Sequence, residues 1–257
     1  MMFNDLSLIT CSYNTPGILE LCLKSFVFHH GSGPHKIIII ENSTNNETQQ
    51  LLDRNNVSYI ANPGGTHSPS VDMGFGLVRT RYALLIDTDV IFKKNISEAF
   101  DLFRNFQLTL FGEIQGDRGG FLLYPRIAPY CCFIDMDRVR SMKINFHSDE
   151  RISRTNSSGF FKNLPINNEQ TDKQYYDVGS VFYEDIQRHH LKAMGWKDIS
   201  SYVFHAESLS WAVQSGIDLY VNMGKGRLDN FYSVAVQYKD VDIRDCFEGV
   251  VSHESIL

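Results

Sequence analysis

Short apolar runs alternate with amphipathic segments along the first 95 residues of the chain. The apolar runs have the length and β-branched content of strands and cover residues 6–13, 35–42, 57–62 and 82–92. Between them, apolar residues spaced three and four apart predict helices over residues 15–30, 47–55 and 68–80. Strands that alternate with helices are typical of a largely parallel sheet, so we predict an α/β fold.

The second half has a less regular pattern. Residues 129–139 (PYCCFIDMDRV) predict a strand, and the polar stretch 147–174 predicts either a loop over a site or a surface insertion. Residues 175–197 predict a helix that ends at Gly195. Its apolar face holds four residues: Val178, Phe182, Ile186 and Ala193. The basic GKGR sequence at 224–227 predicts a turn or a phosphate contact.

Composition excludes several classes of protein. The 257 residues are 43% hydrophobic and 21% charged, which is enough for a sizeable core, and a net charge of -6 disfavours a nucleic acid partner. The first residues show no basic segment followed by a long apolar one, as a signal peptide would. No run of about 18 apolar residues, the length that spans a bilayer, occurs in the sequence. We therefore predict a cytoplasmic protein without an integral membrane segment. Its five cysteines lack CxxC spacing, which predicts reduced core residues rather than a zinc site.

Polar side chains follow each of the four predicted strands, in clusters at residues 10–14, 41–43, 62–67 and 87–89. Taken singly, each cluster has a purely structural explanation, such as helix capping by Asn14 or a turn at the NPGG sequence. The carboxyl ends of parallel strands meet at one edge of a sheet, and that edge is where open α/β sheets bind ligands. The four clusters together therefore predict a ligand site at this edge.

Two acids separated by one residue, in the sequence LLIDTDVIF, repel each other and need a compensating charge.

The motifs LITCSYN, IIIIENS, NPGG and VDMGFGLVRTRYALLIDTDVIF resemble, in order and spacing, the nucleotide-sugar half of the GT-A glycosyltransferases of the family 2 type. The likeness covers roughly residues 6–92. It implies a GT-A (Rossmann-like) nucleotide-sugar-binding sheet with an acceptor-side extension, in a single domain over residues 1–257. Within it, the nucleotide-sugar half would take residues 1–95, the acceptor side 96–215 and a C-terminal extension 216–257.

The resemblance also implies an activity and its partners. A sugar would pass from a UDP-, GDP- or dTDP-sugar donor to a saccharide or other hydroxyl acceptor, with inversion, in a metal-dependent reaction. Asp89 of the DxD motif would ligate Mn²⁺ or Mg²⁺ directly, and Asp87 would contact the ribose or the water ligands of the metal. The implied donor-binding residues are Thr10, Tyr13, Asn14, Glu41, Asn62, Gly65, Asp72, Asp87 and Thr88.

Three residues of the second half complete the implied site. The FYED sequence is similar to the acceptor-side Glu-Asp of the family, so Asp185 is the first candidate for the general base that deprotonates the acceptor hydroxyl. Asp177 is the rival candidate, and either acid could instead be a helix cap or a solvated surface residue. His205 stands where the family often has a metal-ligating histidine, although a single histidine at a strand end is more often structural.

Three other functions compete with this one. A phosphatase would carry its nucleophilic DxD on the first strand, and a sugar-phosphate nucleotidyltransferase would carry a glycine-rich basic loop after that strand. The DxD here follows three earlier strands, and CSYNTPG contains one glycine and no Lys or Arg. The alternative from a different class is a non-catalytic sugar- or nucleotide-binding module on the same fold.

Overall fold

The computed structural model describes residues 3–116, 125–146, 178–206, 209 and 218–249, with the backbone alone at 218–225. The strands within these ranges are β1 Leu6–Ser12, β2 His35–Glu41, β3 Ile60–Ala61, β4 Tyr82–Asp87, β5 Val90–Phe92, β6 Leu110–Gln115, β7 Arg126–Asp135, β8 Ala193–Gly195, β9 Val203–His205 and β10 Phe247–Gly249. The helices are α1 Pro16–His30, α2 Glu47–Arg54, α3 His67–Leu77, α4 Ser97–Asn105, α5 Met136–Ser141, α6 Ser180–Arg188, α7 Ile199–Tyr202 and α8 Asp218–Ala235, and a 3₁₀ turn at Val236–Tyr238 follows α8.

Eight strands form one sheet in the order β10-β2-β1-β4-β7-β6-β8, and β3 pairs with the end of β2 beside β10. All neighbouring pairs are parallel except those of β7, which runs antiparallel to both β4 and β6. The predicted α/β fold with a mainly parallel sheet is therefore confirmed. Of the described helices, none has both the length and the apolar character that crossing a bilayer requires.

Both faces of the sheet are buried, which explains the nearly continuous apolar strands. Along β1, Leu6 and Leu8 pack into one core with α1 and α4, whereas Ile9 packs into a second core with α3, α5 and α6. Side chains at successive strand positions point to opposite faces, so a strand covered on both sides is apolar at every position.

The register of the central strands sets the position of the polar edge. Ser12 at the end of β1 lies beside Glu41 of β2, and Cys11 lies beside Asp87 of β4. The polar residues that follow these three strands therefore emerge at one edge of the sheet, as the sequence predicts.

The strand predicted over residues 82–92 is divided in the structure. Strand β4 of the main sheet ends with Asp87, and residues 88–89 form a turn. β5 lies outside the main sheet and pairs antiparallel with β9. Ile91 and Phe92 of β5 are fully buried in two different cores, which accounts for the apolar residues after the DxD motif.

The structure corrects three predictions in the second half. The predicted strand 129–139 ends at Asp135, whose side chain accepts a hydrogen bond from the backbone N–H of Arg138 and so caps α5. The predicted helix to Gly195 ends at Arg188, because Ala193–Gly195 form strand β8 beside β6. GKGR lies within α8 rather than in a turn.

Candidate active site

Three side chains with metal-binding atoms meet at the end of β4. They are Asp87, the last residue of the strand, Asp89 of the following turn, and His205, the last residue of β9. One ligand atom from each lies within 4.8 Å of the other two, and Nε2 of His205 lies 3.4 Å from Oδ1 of Asp89. Asp89 is buried, with only 4% of its surface exposed.

Pairing of two short strands brings His205 to the acids, although 115 or more residues separate them in sequence. Val90 of β5 is the partner of His205 in β9, so the residue just before Val90 lies near the histidine. Two backbone N–H groups of the chain after β9 donate hydrogen bonds to Asp89. Its backbone oxygen accepts from the N–H of Ala206 at 3.1 Å, and its Oδ2 accepts from the N–H of Leu209 at 2.9 Å.

The donor set fits a divalent cation. Cations such as Mg²⁺ bind oxygen ligands at about 2.0–2.1 Å, so ligand atoms a few ångströms apart can share one ion after a small adjustment. One Asp89 oxygen is held by a backbone N–H, which leaves Oδ1 directed toward His205. Carboxylates that ligate metals are commonly oriented by such a second hydrogen bond.

Asp87 has a lowered pKa. Burial of Asp87 acts to raise this pKa, but the hydrogen bond that His67 donates and the positive charges of His67, His205 and Arg126 outweigh burial. Nε2 of His67 lies 3.3 Å from Oδ1 of Asp87. The carboxylate is therefore ionised at neutral pH and available as a ligand.

Glu41, predicted to bind the donor, is fully buried and heavily hydrogen-bonded. Its Oε1 accepts from Ser12 Oγ at 3.3 Å, from the backbone N–H of Ser43 at 2.9 Å and from Ser43 Oγ, and its Oε2 accepts from Gln49 at 3.3 Å. These bonds fix the loop after β2, so Glu41 shapes this side of the site.

The NPGG loop is fixed by a second network. Oδ1 of Asn42 accepts from Nδ2 of Asn62 at 2.8 Å and from Oγ of Ser70 at 2.9 Å. Gly65 lies against this pair, because a Cβ there would come within 2.0 Å of Asn62 Nδ2 and 2.4 Å of Asn42 Oδ1. The loop that follows β3 is thereby held against the end of β2.

The remaining donor-side residues also lie at this edge. Asn14 adopts a left-handed conformation with φ 51°, and its N–H donates to Ser43 Oγ at 2.7 Å, which joins the loops after β1 and β2. Thr10 is fully buried, and its hydroxyl has no hydrogen-bond partner among the described residues. Thr88 is buried in the turn between the acids, and Tyr13 directly follows β1.

The structure gives Asp72 and Asp185 other contacts. Asp72 of α3 accepts a hydrogen bond from the backbone N–H of Phe146 at 2.6 Å, so it joins α3 to the chain beyond α5. Asp185 lies in α6, where Oδ1 is 3.3 Å from Nη1 of Arg188 one turn later. Asp177, the rival candidate for the base, lies outside the described residues.

Sequence reasoning named no role for four residues that surround the cluster. His67 donates a hydrogen bond to Asp87, and Arg126 contributes positive charge near Asp87. The ring of Tyr130 stacks on that of His205, and Glu113 accepts a hydrogen bond from the Tyr130 phenol. Only His67 belongs to a polar cluster that the sequence indicates. The other three come from β6 and β7, whose order in the sheet is set by long-range pairing that no local pattern reveals.

Several solved structures share this fold at low sequence identity. TarS from S. aureus, as residues 1–349, aligns with a TM-score of 0.51 and 11% identity over 89% of this chain and 72% of that chain. The mannosyltransferase PcManGT from Pyrobaculum calidifontis, in complex with GDP-Man and Mn²⁺, aligns with a TM-score of 0.53 and 8% identity over 91% of this chain and 64% of that one. The chain spans 44% of the length of the longer TarS structure.

A protein of another class shares the architecture as well. A putative glucose-1-phosphate thymidylyltransferase from Bacillus anthracis aligns with a TM-score of 0.50 and 8% identity, over 95% of this chain and all of that one. Likeness at such identities shows the fold alone. No curated protein matches the chain in sequence.

The sequence profile of glycosyl transferase family 2 matches residues 7–157, which is more than half of the chain. This stretch begins in β1, contains the whole of the polar edge and extends beyond α5. The match confirms the predicted resemblance to the GT-A glycosyltransferases of the family 2 type. The chain belongs to glycosyl transferase family 2.

Proposed function

We propose that this protein transfers a sugar from a nucleotide-sugar donor to a hydroxyl acceptor in a metal-dependent reaction that inverts the anomeric centre. The observation that carries the proposal is the convergence of Asp87, Asp89 and His205, with ligand atoms within 4.8 Å of one another at the carboxyl ends of the central strands. Open α/β sheets bind ligands at this edge, and the family match supports a sugar donor as the ligand.

The Asp87, Asp89 and His205 side chains would hold Mn²⁺ or Mg²⁺. The cation supplies positive charge that stabilises the diphosphate of the bound donor and of the departing nucleoside diphosphate. PcManGT is described with GDP-Man and Mn²⁺, which supports a divalent metal and a sugar nucleotide here. The proposed donor is a UDP-, GDP- or dTDP-sugar.

The loops after β1, β2 and β3 would enclose the nucleotide. The bonds among Asn14, Ser43 and Glu41 and those among Asn42, Asn62 and Ser70 hold these loops in fixed positions before a donor binds. Preorganised loops lower the entropic cost of binding. The buried hydroxyl of Thr10 lies in β1 just before this region and has a hydrogen-bonding capacity that none of the described residues uses.

A carboxylate on the acceptor side would take the proton from the attacking hydroxyl. Asp185 in α6 remains the first candidate and Asp177 the second. α6 packs on β7, the strand beside β4. Gly179, just before α6, lies so close to Ile127 of β7 that a Cβ there would come within 2.2 Å of the Ile127 carbonyl oxygen, near the edge where the ligand site lies. The start of α6 thus lies near the ligand edge, which supports a base carried on this side of the site.

A direct assay tests the proposal. Purified protein is screened with UDP-, GDP- and dTDP-sugars for thermal stabilisation with and without Mn²⁺, since a ligand at 100 times its Kd stabilises by about 2.7 kcal/mol. Donors that stabilise are then incubated with saccharide acceptors, and release of nucleoside diphosphate is measured. Metal-dependent release that requires an acceptor is expected.

Other outcomes identify the competing functions. Donor binding without any nucleoside diphosphate release, across a broad acceptor panel, would favour the non-catalytic binding module. Release of pyrophosphate from a nucleoside triphosphate and a sugar phosphate would favour a nucleotidyltransferase, the activity class of the fold relative from Bacillus anthracis.

A further inference from the structure

His205 is stacked on an aromatic residue from the neighbouring strand. The ring centroids of Tyr130 and His205 are 4.1 Å apart, and the ring planes differ by 11°. The phenol of Tyr130 donates to Oε2 of Glu113 at 2.5 Å, and Tyr130 is only 7% exposed. A carboxylate therefore holds the phenol, and the phenol ring covers one face of the imidazole.

The sheet explains how these residues meet. Cys131 of β7 pairs with Ile86 of β4, so Tyr130 comes one residue closer to the ligand edge, level with Asp87. The β6–β7 register is interrupted between Gly112 and Ile114, where Glu113 lies. Such irregularities redirect side chains near functional sites, and this one accompanies the contact between Glu113 and Tyr130.

The stack limits the orientations that His205 can adopt. An imidazole ring lying flat against a buried phenol cannot turn about its Cβ–Cγ bond without losing that contact. In the observed orientation Nε2 of His205 faces Oδ1 of Asp89 at 3.4 Å. Residues that orient a metal ligand in this way commonly change metal affinity about 10–100-fold when they are replaced.

We propose that Tyr130, held by Glu113, is a positioning residue that keeps Nε2 of His205 directed at the cation shared with Asp87 and Asp89. The proposal rests on the proposed function to the extent that a divalent cation binds at these three residues. Tyr130 acts through His205, whereas a tyrosine that served only to fill the core would affect stability and leave metal binding unchanged.

Mn²⁺ binding to the otherwise unliganded protein tests the proposal without an activity assay. Affinity is measured by the loss of the free Mn²⁺ signal in electron paramagnetic resonance, and pulsed measurements detect the nitrogen nucleus of a coordinated imidazole. His205→Ala is the reference for loss of that nitrogen. Tyr202→Phe is the matched control, because the phenol of Tyr202 also donates a hydrogen bond to a glutamate, Glu98, at 3.4 Å.

Three variants separate the stack from its anchor. Tyr130→Leu, which removes the aromatic face, should weaken Mn²⁺ binding about 10-fold or more and reduce the nitrogen coupling. Tyr130→Phe and Glu113→Gln keep the ring but remove or weaken the anchor, so they should weaken binding by less than Tyr130→Leu and keep the coupling. Tyr202→Phe should bind like the unmodified protein.

The outcomes distinguish this inference from the proposed function. Failure of the unmodified protein to bind Mn²⁺ overturns the metal site itself, and binding without nitrogen coupling overturns the role of His205 and with it this inference. Unchanged affinity and coupling in Tyr130→Leu overturn the inference alone. If Tyr130→Leu does not fold, Tyr130→Phe and Glu113→Gln provide the test. The inference is then overturned if both bind Mn²⁺ as tightly as Tyr202→Phe does.

Discussion

Nε2 of His67 donates a hydrogen bond to Oδ1 of Asp87 across 3.3 Å. His67 is the first residue of α3 and Asp87 the last of β4, so this bond joins the NPGG loop to the DxD motif. The same interaction contributes to the lowered pKa of Asp87. His67 therefore holds the Asp87 carboxylate in position and favours its ionised form.

Replacement of His67 should weaken metal binding. His67→Ala removes the donor to Asp87, and we expect Mn²⁺ affinity to fall about 10-fold. His67→Gln, whose Nε2 can take the place of the imidazole nitrogen, should recover most of it. Isothermal titration with Mn²⁺ measures both, with His189→Ala at an exposed position after α6 as the control. Equal affinities for His67→Ala and His189→Ala would contradict the role of this bond.

Asp89→Asn should abolish metal-dependent donor binding while the fold is kept. The amide oxygen of the new side chain can still accept from the N–H of Leu209, so unfolding free energy should change by no more than about 1 kcal/mol. Donor affinity with and without Mn²⁺ is the measurement, and Asp240→Asn, an exposed acid, is the control for loss of charge. Full Mn²⁺-dependent affinity in Asp89→Asn would refute its assignment as the direct ligand.

The two glycines of the NPGG loop should tolerate alanine differently. A Cβ at Gly65 would lie 2.0 Å from Asn62 Nδ2. A Cβ at Gly64 would meet no described residue within 4 Å and would only impose the strain of φ 77°. Gly64→Ala should cost about 1–2 kcal/mol of stability. Gly65→Ala should cost more, because the network around Asn42 and Ser70 must break.

Chemical denaturation and donor titration measure these two variants together. Gly65→Ala should also reduce donor affinity, since it displaces Asn62 at the site, and Gly64→Ala should leave affinity nearly unchanged. A Gly65→Ala protein as stable as Gly64→Ala, with unaltered donor binding, would show that the loop conformation does not depend on this close contact.

Much of the fold is predictable because its information is local. The runs IIII in β2 and ALLI in β4 are apolar at consecutive positions, as strands covered on both faces must be. The failures are non-local. Ala193–Gly195 continue the helical spacing of α6, yet they pair with β6. At least 77 residues lie between these two strands in the sequence. Nothing in the local pattern distinguishes that outcome from a longer helix.

The site divides in the same way. Asp87 and Asp89 are predictable because a buried strand that ends in two acids needs a compensating charge. His205 came only from the family resemblance, because its proximity to Asp89 depends on the β5–β9 pair. Tyr130 and Glu113 were missed because an aromatic residue in an apolar strand gives no indication that its ring will lie against a histidine.

The choice of base can be tested by separating rate from binding. A general base contributes about 10²–10⁴-fold to rate, so Asp185→Asn should lower transfer by that factor and leave donor affinity nearly unchanged. Arg188→Gln is the matched control, since it breaks the 3.3 Å contact with Asp185 but keeps the carboxylate. Asp177→Ala should cost about 0.5–2 kcal/mol of stability if that residue is only a helix cap.

The steady-state rate of nucleoside diphosphate release and the donor Kd are the two measurements. Full activity in Asp185→Asn together with loss of turnover in Asp177→Ala, at unchanged stability, would exchange the two roles. Activity in both variants would place the base elsewhere in the acceptor half.

The stability of the protein should fall in acid because of His30 in the last turn of α1. Its Nδ1–H donates to the carbonyl of Phe26 at 2.7 Å, and its Nε2 accepts from the N–H of Ile96 at 3.1 Å. The bond from Ile96 requires the neutral ring, because a protonated Nε2 cannot accept. Burial, with smaller contributions from His35 and His29, lowers the pKa of His30 from 6.5 to about 4, despite the opposing bond to Phe26.

Between these two pKa values the unfolded chain binds a proton at His30 that the folded protein does not, so stability decreases as the pH falls from about 6.5 to about 4. The loss from this group should reach about 2–3 kcal/mol near the lower limit. His30→Gln offers Ile96 an acceptor that does not titrate, and its unfolding free energy should therefore fall less between pH 7 and pH 4.5. Guanidinium denaturation at both pH values measures the difference, with His189→Gln as the exposed control. An equal loss in all three proteins would mean that His30 does not determine the acid sensitivity.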